Sequence, residues 1–329
     1  MFHKFGIILM GLISIGMISA KTTRIMETKI HPSRIQDCDT DFVYISDKLK
    51  EYFPDFYRHL CVKFTEMDIP FAELKGTKDI WCRDYMPVQI APDTFVGYQY
   101  APDYLKSEES TYPKRLELAH LRCCDVLTNQ QEVWEKNGLT YKLIPTDIIL
   151  DGGNVVLADD FVVLTDKIYA ENKCQSLQDN EKLLNKIREA FQRTPIIIPW
   201  QKKGDDEYGH TDGMVKAMPA LSSQSNLMIS PLFKYERDSL HKELDKNFTL
   251  NEIAFSERGT NFEKYAWAYI NFLQVGNKIL VPSFGLPCEP SVMGQIRNLY
   301  PNCIVDSIEM REIADHGGAL HCITWNIRK

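Results

Sequence analysis

The sequence has no run of basic residues longer than two, and its 38 Lys and Arg are outnumbered by 45 Asp and Glu. The formal net charge is −7. A protein that binds nucleic acid needs a positive face to meet the phosphate backbone. The charge pattern therefore argues against a nucleic-acid partner, and it is compatible with a cationic small-molecule substrate.

Long hydrophobic runs are missing after the first twenty residues, so no later segment is predicted to span a bilayer. Residues 1–20 combine Lys4, an apolar run and the small pair Ser19-Ala20, which is the pattern of a secretory signal peptide. We therefore expect an exported protein, periplasmic or secreted. Ile18 fits poorly where a small residue is usual before the cleavage point, so an uncleaved membrane anchor is the alternative.

The nine cysteines include no C-x-x-C pair, and no H-E-x-x-H stretch is present. These absences argue against a zinc cage and against that class of zinc hydrolase. The odd cysteine count leaves at least one thiol unpaired in an exported protein, while any pairing of the other eight stays open. With 44% hydrophobic and 25% charged residues, the composition is that of a globular protein with a large core.

No sequence segment repeats, but the predicted secondary structure consists of five strand–strand–helix–strand units. A ring of such units buries its core only when every member is present, which predicts one domain over residues 21–329. A generic α/β sheet with irregular insertions is the alternative. The predicted units are strands 86–90, 94–100 and 140–145 with helix 114–136; strands 154–158, 161–165 and 195–200 with helix 179–193; strands 213–218, 226–232 and 250–255 with helix 234–247; strands 269–275, 278–283 and 303–308 with helix 290–299; and strand 319–327 completed by strand 22–30, helix 41–60 and strand 62–67.

Each unit carries a polar group just before or within its first strand. If the units surround an axis, these positions face one another and bring three carboxylates, one imidazole and one thiol into one cleft. Aspartates that lie close together repel, which raises the pKa of at least one of them unless a cation binds. The polar groups are Asp84, Asp151, His210 with Asp212, Asn271 and Cys322, and glycine pairs stand at 152–153 and 317–318.

A guanidinium ion suits such a cleft because it is planar and donates parallel hydrogen bonds to carboxylates. Two aspartates can hold its nitrogens while a thiolate approaches its central carbon. The thiol, with an ordinary pKa of about 8.5, must first lose its proton, and His210 or the cationic substrate favours that loss. Glycine pairs allow backbone and substrate to approach closely.

Other interpretations of the same residues are plainer. Cys322 alone, in an apolar strand, would be expected to be a packed core thiol. A zinc site is a second alternative, although three aspartates supply more negative charge than such a site needs. Its ligands would come from His210, Asp212, His316, His321 and Cys322. Outside such a site, His316 and His321 are expected to be structural.

Five short blocks resemble, in order, the motifs of the agmatine deiminase and bacterial peptidylarginine deiminase family. They are WCRDYMP, DGGN, GHTDG, YINF and GGALHCIT, within residues 76–326. That family belongs to the guanidino-group-modifying superfamily. The resemblance therefore implies a pentein-like five-bladed α/β propeller with pseudo-fivefold strand–strand–helix–strand units.

The resemblance also implies hydrolytic deimination of a guanidino compound. Cys322 would attack the guanidinium carbon, and Asp84 and Asp212 would hold the tetrahedral adduct. His210 would protonate the leaving ammonia and then activate the water that releases a ureido product from the thiouronium intermediate.

Three further residues have roles that the resemblance implies. Asp151 would contact the substrate or orient the histidine, Trp81 would flank the pocket, and Asn271 would support the site. No metal and no organic cofactor is implied.

The expected substrate is agmatine, converted to N-carbamoylputrescine and ammonia as in putrescine biosynthesis. Residues 21–40 contain no tryptophan, although agmatine deiminases usually carry a tryptophan-containing block there. Free arginine or peptidylarginine, giving citrulline, is therefore the alternative, with Arg115, Arg122 and Arg258 as candidate partners for a carboxylate. Amidino transfer to an amine, and guanidine binding without turnover, are further alternatives. The oligomeric state stays open.

Overall fold

The computed structural model describes residues 34–105, 127–200, 206, 208–219, 224–231, 233–255 and 260–329. The predicted signal peptide, the predicted strand 22–30 and residues 114–126 of the first predicted helix lie outside the described residues. Export therefore stays a prediction. In the part of the chain that is described, no helix is both long and apolar enough to cross a membrane.

The described residues contain fifteen strands, which form five three-stranded sheets. In every sheet the central strand pairs antiparallel with one neighbour and parallel with the other. The sheets are β3 (Val88–Ala91), β4 (Thr94–Gln99) and β5 (Lys142–Ile149); β6 (Val156–Ala158), β7 (Phe161–Thr165) and β8 (Thr194–Ile198); β9 (Val215–Met218), β10 (Ser225–Ile229) and β11 (Phe248–Glu252); β12 (Leu273–Val275), β13 (Lys278–Ser283) and β14 (Ile304–Glu309); and β15 (Thr324–Ile327), β1 (Phe42–Ser46) and β2 (Phe71–Leu74).

The two kinds of pairing explain where the helices lie. Antiparallel neighbours need only a short turn, whereas a parallel pair needs a crossover, which is usually helical. The crossover helices are Gln130–Lys136, Leu177–Phe191, Lys234–Leu244, Glu289–Leu299 and the consecutive pair Asp47–Tyr52 and Pro54–Glu66. Shorter α-helices span Cys82–Tyr85, Lys167–Glu171, Thr260–Tyr265 and Arg311–Ala314, and 3₁₀ helices span Asp37–Asp39, Asp103–Leu105, Gly152–Asn154, Thr211–Gly213 and Ala266–Tyr269. The predicted five-bladed α/β propeller is confirmed.

The fifth sheet joins the two ends of the described chain, as predicted, but its elements differ from the prediction. Residues 42–46 form the central strand rather than helix, and the helix begins only after Ser46, whose hydroxyl caps it by accepting the Lys48 N–H at 3.0 Å. Residues 62–67 are not a strand. Phe56, Leu60 and Phe64 are buried at helical spacing, so the helix continues to Glu66.

Two predicted site residues lie just outside the strands in which they were expected. Cys322 is in a turn closed by the hydrogen bond from Ile323 N–H to Ala319 O at 3.2 Å, and β15 begins two residues later. Asn271 similarly precedes β12. The prediction extended both strands through apolar residues whose backbone in fact turns. As a result, all five polar positions stand two to five residues before a first strand.

The short elements before the first strands pack against one another. Helix Cys82–Tyr85 contacts the 3₁₀ helix Gly152–Asn154, which contacts the 3₁₀ helix Thr211–Gly213. Helix Cys82–Tyr85 also contacts β15, which follows Cys322. The segments that lead into the first strands therefore converge on one place in the fold.

The crossover helices supply a direct test of this packing. Leu60 is fully buried on one of them, whereas Leu177, at the start of another, is 81% exposed. Leu60→Ala is expected to lower the free energy of unfolding by about 2–5 kcal/mol, because it leaves a cavity in the core. Leu177→Ala should change it by less than about 0.5 kcal/mol. Urea denaturation measures both, and equal losses would contradict the packing described.

Candidate active site

A cleft of about 260 Å³ lies among the elements that precede the first strands. Four predicted site residues line it, namely Trp81, Asp84, His210 and Cys322. The other three lie against these: Asp151 contacts His210, and Asp212 and Asn271 contact Cys322. The lining residues are Trp81, Asp84, Tyr104, Tyr208, His210, His316, Gly317, Gly318 and Cys322. The convergence expected from the five units is thus present, and the cleft joins residues that are far apart in sequence.

Cys322 faces polar atoms rather than packed hydrocarbon. Its Sγ lies 3.4 Å from Asn271 Oδ1 and 4.0 Å from Asp212 Oδ2. Burial raises the pKa of this thiol well above its ordinary value, and the charges of Asp212 and Asp84 raise it further. The free protein therefore holds a protonated thiol, and a cation that neutralised these carboxylates would lower its pKa.

Asn271 fastens the turn that carries the thiol. Its side-chain oxygen accepts the backbone N–H of His321 at 3.1 Å, and its Nδ2 donates to the backbone oxygen of Asp212 at 3.4 Å. One fully buried amide thus joins the turn before β15 to the turn before β9. This geometry agrees with the supporting role that the resemblance implies.

Asp212 presents one carboxylate oxygen to a fixed partner and keeps the other unbonded. Its Oδ2 lies 2.6 Å from His321 Nδ1, while its buried Oδ1 has no hydrogen-bond partner among the described residues. Burial would raise the pKa of Asp212, but the hydrogen bond and charge of His321 hold it below the ordinary value. Asp212 is therefore ionised, with one oxygen ready to accept a hydrogen bond.

His210 lies between two other carboxylates. Its Nε2 is 3.2 Å from Asp151 Oδ2, and its Nδ1 is 3.7 Å from Asp84 Oδ1. Burial disfavours the charged ring, but the two aspartates outweigh burial and raise the pKa of His210 to about 9. Burial, assisted by Asp151 and Asp212, raises the pKa of Asp84 to about 7 although His210 opposes the shift. His210 is therefore a cation at neutral pH and can act as an acid.

Lys167 is a site residue that the sequence reasoning missed. Its buried Nζ lies 3.4 Å from Asp151 Oδ2, 3.1 Å from Glu171 Oε1 and 3.2 Å from Asp103 Oδ1. It lies against the same carboxylate oxygen of Asp151 as His210 does, and its charge holds the pKa of Asp151 below the ordinary value although burial opposes this. The spacing of Lys167 and Glu171, four residues apart, is a helical ion-pair signal. It was overlooked because the helix Lys167–Glu171 was not predicted.

The glycine pairs are required by close approach. A Cβ on Gly153 would stand 2.5 Å from His210 Nδ1 and 2.7 Å from Asp84 Oδ1, and a Cβ on Gly318 would stand 2.2 Å from Trp81 Cζ3. Without a side chain, Gly153 also donates its N–H to Asp84 Oδ1 at 3.1 Å. Any larger residue at Gly153 would therefore push apart the acid and the imidazole.

The zinc site considered from the sequence is not assembled. Within the described ranges, no group of three or more His, Cys, Asp or Glu side chains is placed to hold a metal ion. His321 instead directs both ring nitrogens at carboxylates, and His316 lines the cleft. The seven cysteines in the described part of the chain are free thiols, while Cys123 and Cys124 lie outside it.

Known proteins resemble this chain in both sequence and fold. It is 37% identical over 212 residues to the putative agmatine deiminase 1 of Listeria monocytogenes serotype 4b (strain F2365), which covers 55% of this chain and 58% of that protein. The chain thus spans little more than half of that relative's length.

Two solved structures share the fold at low sequence identity. One is a putative agmatine deiminase, structural genomics target SmR6, with a TM-score of 0.65, 16% identity and coverage of 90% of this chain and 95% of that one. The other is SxtG, an amidinotransferase from Microseira wollei in the saxitoxin biosynthetic pathway. Its TM-score is 0.56 at 11% identity, covering 90% of this chain and 97% of that one.

The family model described as Porphyromonas-type peptidyl-arginine deiminase matches residues 43–327. That range includes all five sheets, apart from the first residue of β1, and every residue placed at the cleft. The chain belongs to the Porphyromonas-type peptidyl-arginine deiminase family.

Proposed function

We propose that this protein hydrolyses a guanidino compound, with agmatine as the preferred substrate and N-carbamoylputrescine and ammonia as products. The observation that carries the proposal is the meeting of a buried thiol, two carboxylates and a cationic imidazole in one cleft. Family membership and the similarity to a putative agmatine deiminase support it. The residues proposed for catalysis are Cys322, His210, Asp84 and Asp212.

Substrate binding begins with charge compensation. The unbonded Oδ1 of Asp212 accepts a guanidinium N–H, and Asp84, oriented by Gly153, accepts another. Two carboxylates on different turns thereby fix the plane of the cation. Neutralising them removes the charges that raise the pKa of the Cys322 thiol, so binding of the cation favours loss of the thiol proton to solvent.

Chemistry then proceeds through a covalent thiouronium. The Cys322 thiolate forms a bond to the guanidinium carbon, and the imidazolium of His210 donates its proton to the leaving nitrogen as the C–N bond breaks and ammonia departs. Neutral His210 next takes a proton from a water molecule that attacks the same carbon. The C–S bond then breaks, the thiolate is restored, the remaining proton on the attacking oxygen passes to solvent, and the neutral ureido product leaves.

Asp151 and Trp81 complete the site without touching the transferred protons. Asp151 holds His210 through Nε2, and Lys167 keeps Asp151 ionised, so the ring is fixed in orientation. Trp81 forms one wall of the cleft, with Tyr104 and Tyr208 among the other lining residues. Aromatic walls of this kind pack well against the methylene tail of a guanidine.

The substrate preference follows from the charges around the cleft. None of the described lining residues is Arg or Lys, and the nearby Lys167 is engaged by three carboxylates. A substrate carboxylate would therefore find no Arg or Lys partner among these residues, and the cationic His210 already lies between Asp151 and Asp84, whereas an uncharged or cationic tail needs no such partner. Arg115, Arg122 and Arg258, the partners considered for arginine substrates, lie outside the described residues.

Ammonia release by two cysteine variants tests the nucleophile. Cys322→Ala should still bind agmatine but release at least about a thousandfold less ammonia, because the covalent step is lost. Cys174→Ala, which removes a thiol outside the cleft, should match the wild type. Isothermal calorimetry measures binding, and a ureido assay with agmatine, arginine and an arginine-containing peptide measures turnover. Normal turnover by Cys322→Ala would contradict the assignment, and a citrulline signal from the peptide alone would overturn the substrate preference.

The pH dependence of kcat/KM tests the acid and the cation-binding carboxylate. Asp84 must be ionised to hold the guanidinium, so kcat/KM should rise as pH increases through about 7. His210 must carry its proton to release ammonia, so kcat/KM should fall as pH increases through about 9. If kcat/KM instead keeps rising as pH increases beyond about 9, an acid role for His210 would be contradicted.

A further inference from the structure

His321, the residue before the nucleophile, is held between two carboxylates. Its ring is almost completely buried, with Nδ1 2.6 Å from Asp212 Oδ2 and Nε2 3.1 Å from Asp37 Oδ2. An imidazole that donates to a carboxylate on each side carries two N–H groups and a positive charge. The geometry thus places an imidazole, with a carboxylate at each ring nitrogen, directly behind Asp212.

Asp37, the second carboxylate at His321, is itself held by other side chains. Asp37 Oδ2 accepts from Lys216 Nζ at 2.5 Å, and Asp37 Oδ1 accepts from Asn326 at 3.1 Å. Lys216 is buried and also donates to the backbone oxygen of Phe272 at 3.1 Å. Lys216, Asp37, His321 and Asp212 thus form a row in which basic and acidic side chains alternate and which ends beside Cys322; all of them except the half-buried Asp37 are buried.

Two consequences for the site follow from this row. Because His321 occupies Oδ2 of Asp212, the Oδ1 atom is left unbonded for a ligand. Because its charge offsets that of Asp212, whose Oδ2 is 4.0 Å from Cys322 Sγ, less negative charge opposes ionisation of the thiol. Loss of the ring would release Asp212 and leave its charge uncompensated beside the nucleophile.

We infer that His321 is a positioning residue for deimination, a fixed cation that orients Asp212 and favours the thiolate of Cys322. The inference rests on the proposed function and deepens it, since His321 acts through Asp212 and touches neither the substrate nor the bonds that change. A buried histidine with a purely structural role would stabilise the fold without changing the reactivity of the thiol.

Alkylation of Cys322 by iodoacetamide gives a readout that needs no substrate. His321→Gln keeps a neutral donor but removes the charge, and we expect at least a roughly tenfold slower alkylation of Cys322 at neutral pH, corresponding to about one pKa unit in thiol ionisation. The rate–pH curve should move to higher pH. Peptide mass spectrometry resolves Cys322 from the other cysteines.

A matched control exists elsewhere in the chain. His241 also lies between two carboxylates, with Nδ1 3.0 Å from Asp245 Oδ2 and Nε2 2.7 Å from Glu252 Oε1, but it belongs to helix Lys234–Leu244 and not to the cleft. His241→Gln should leave both the alkylation of Cys322 and kcat/KM for agmatine unchanged.

Chemical rescue adds a second variant. A cavity of about 550 Å³ lies on the other side of His321 and is lined in part by Asp37, Arg83, Lys216 and Asn326. Because His321 itself lines this cavity, we expect imidazole added to His321→Ala to enter the space that the ring vacates. Rescue should restore at least about a tenth of the alkylation rate, because a mobile cation replaces a fixed one.

The outcomes separate the inference from the proposed function. Slower alkylation in His321→Gln together with imidazole rescue supports the inference, even if the wild type releases no ammonia from any guanidine and the proposed function fails. Ammonia release by the wild type, with His321→Gln unchanged in alkylation rate and in kcat/KM, overturns the inference alone. If both variants fail to fold, ¹⁵N NMR of histidine-labelled wild type decides. A His321 ring with two protonated nitrogens at neutral pH supports the fixed cation, and a neutral tautomer overturns it.

Discussion

Buried carboxylates are tolerable only when positive charge compensates them, and the centre of this protein is organised around that constraint. Asp151 has Lys167 and His210 beside it, and Asp212 has His321. Among the described residues Asp84 has an ion-pair partner only in His210, whose Nδ1 is 3.7 Å away, and burial raises the pKa of Asp84 to about 7. The deficit of positive charge is thus located where a cationic substrate would enter.

The fold delivers this arrangement because each sheet has the same strand order. Each first strand enters its sheet from the same end, so the few residues before it reach the common centre. The backbone there forms short helices and turns, which carry single polar side chains without long flexible segments. Glycine at 153 and at 318 allows neighbouring turns to come within contact distance. The thiol and its partners thereby share one cleft although they span residues 84–322.

Much of this could be predicted from the sequence, and the failures have physical causes. Alternating and apolar runs located most strands, and the polar residues at their starts identified Asp84, Asp151, His210, Asp212 and Cys322. The strand 42–46 was missed because the helix that follows it shares its amphipathic composition. Lys167, in an unpredicted helix, and His321, treated as structural, were missed as site residues because their partners are distant in sequence. His321 and Asp212, for example, are 109 residues apart in sequence, and only the ring of sheets brings them into contact.

The most direct test is the crystal structure of Cys322→Ala bound to agmatine, in which the substrate cannot react. The account predicts that guanidinium nitrogens donate to Asp84 and to Oδ1 of Asp212, with the central carbon facing residue 322. A guanidinium bound elsewhere, or one that leaves both aspartates without a hydrogen bond, would contradict the claim that uncompensated buried charge recruits the substrate.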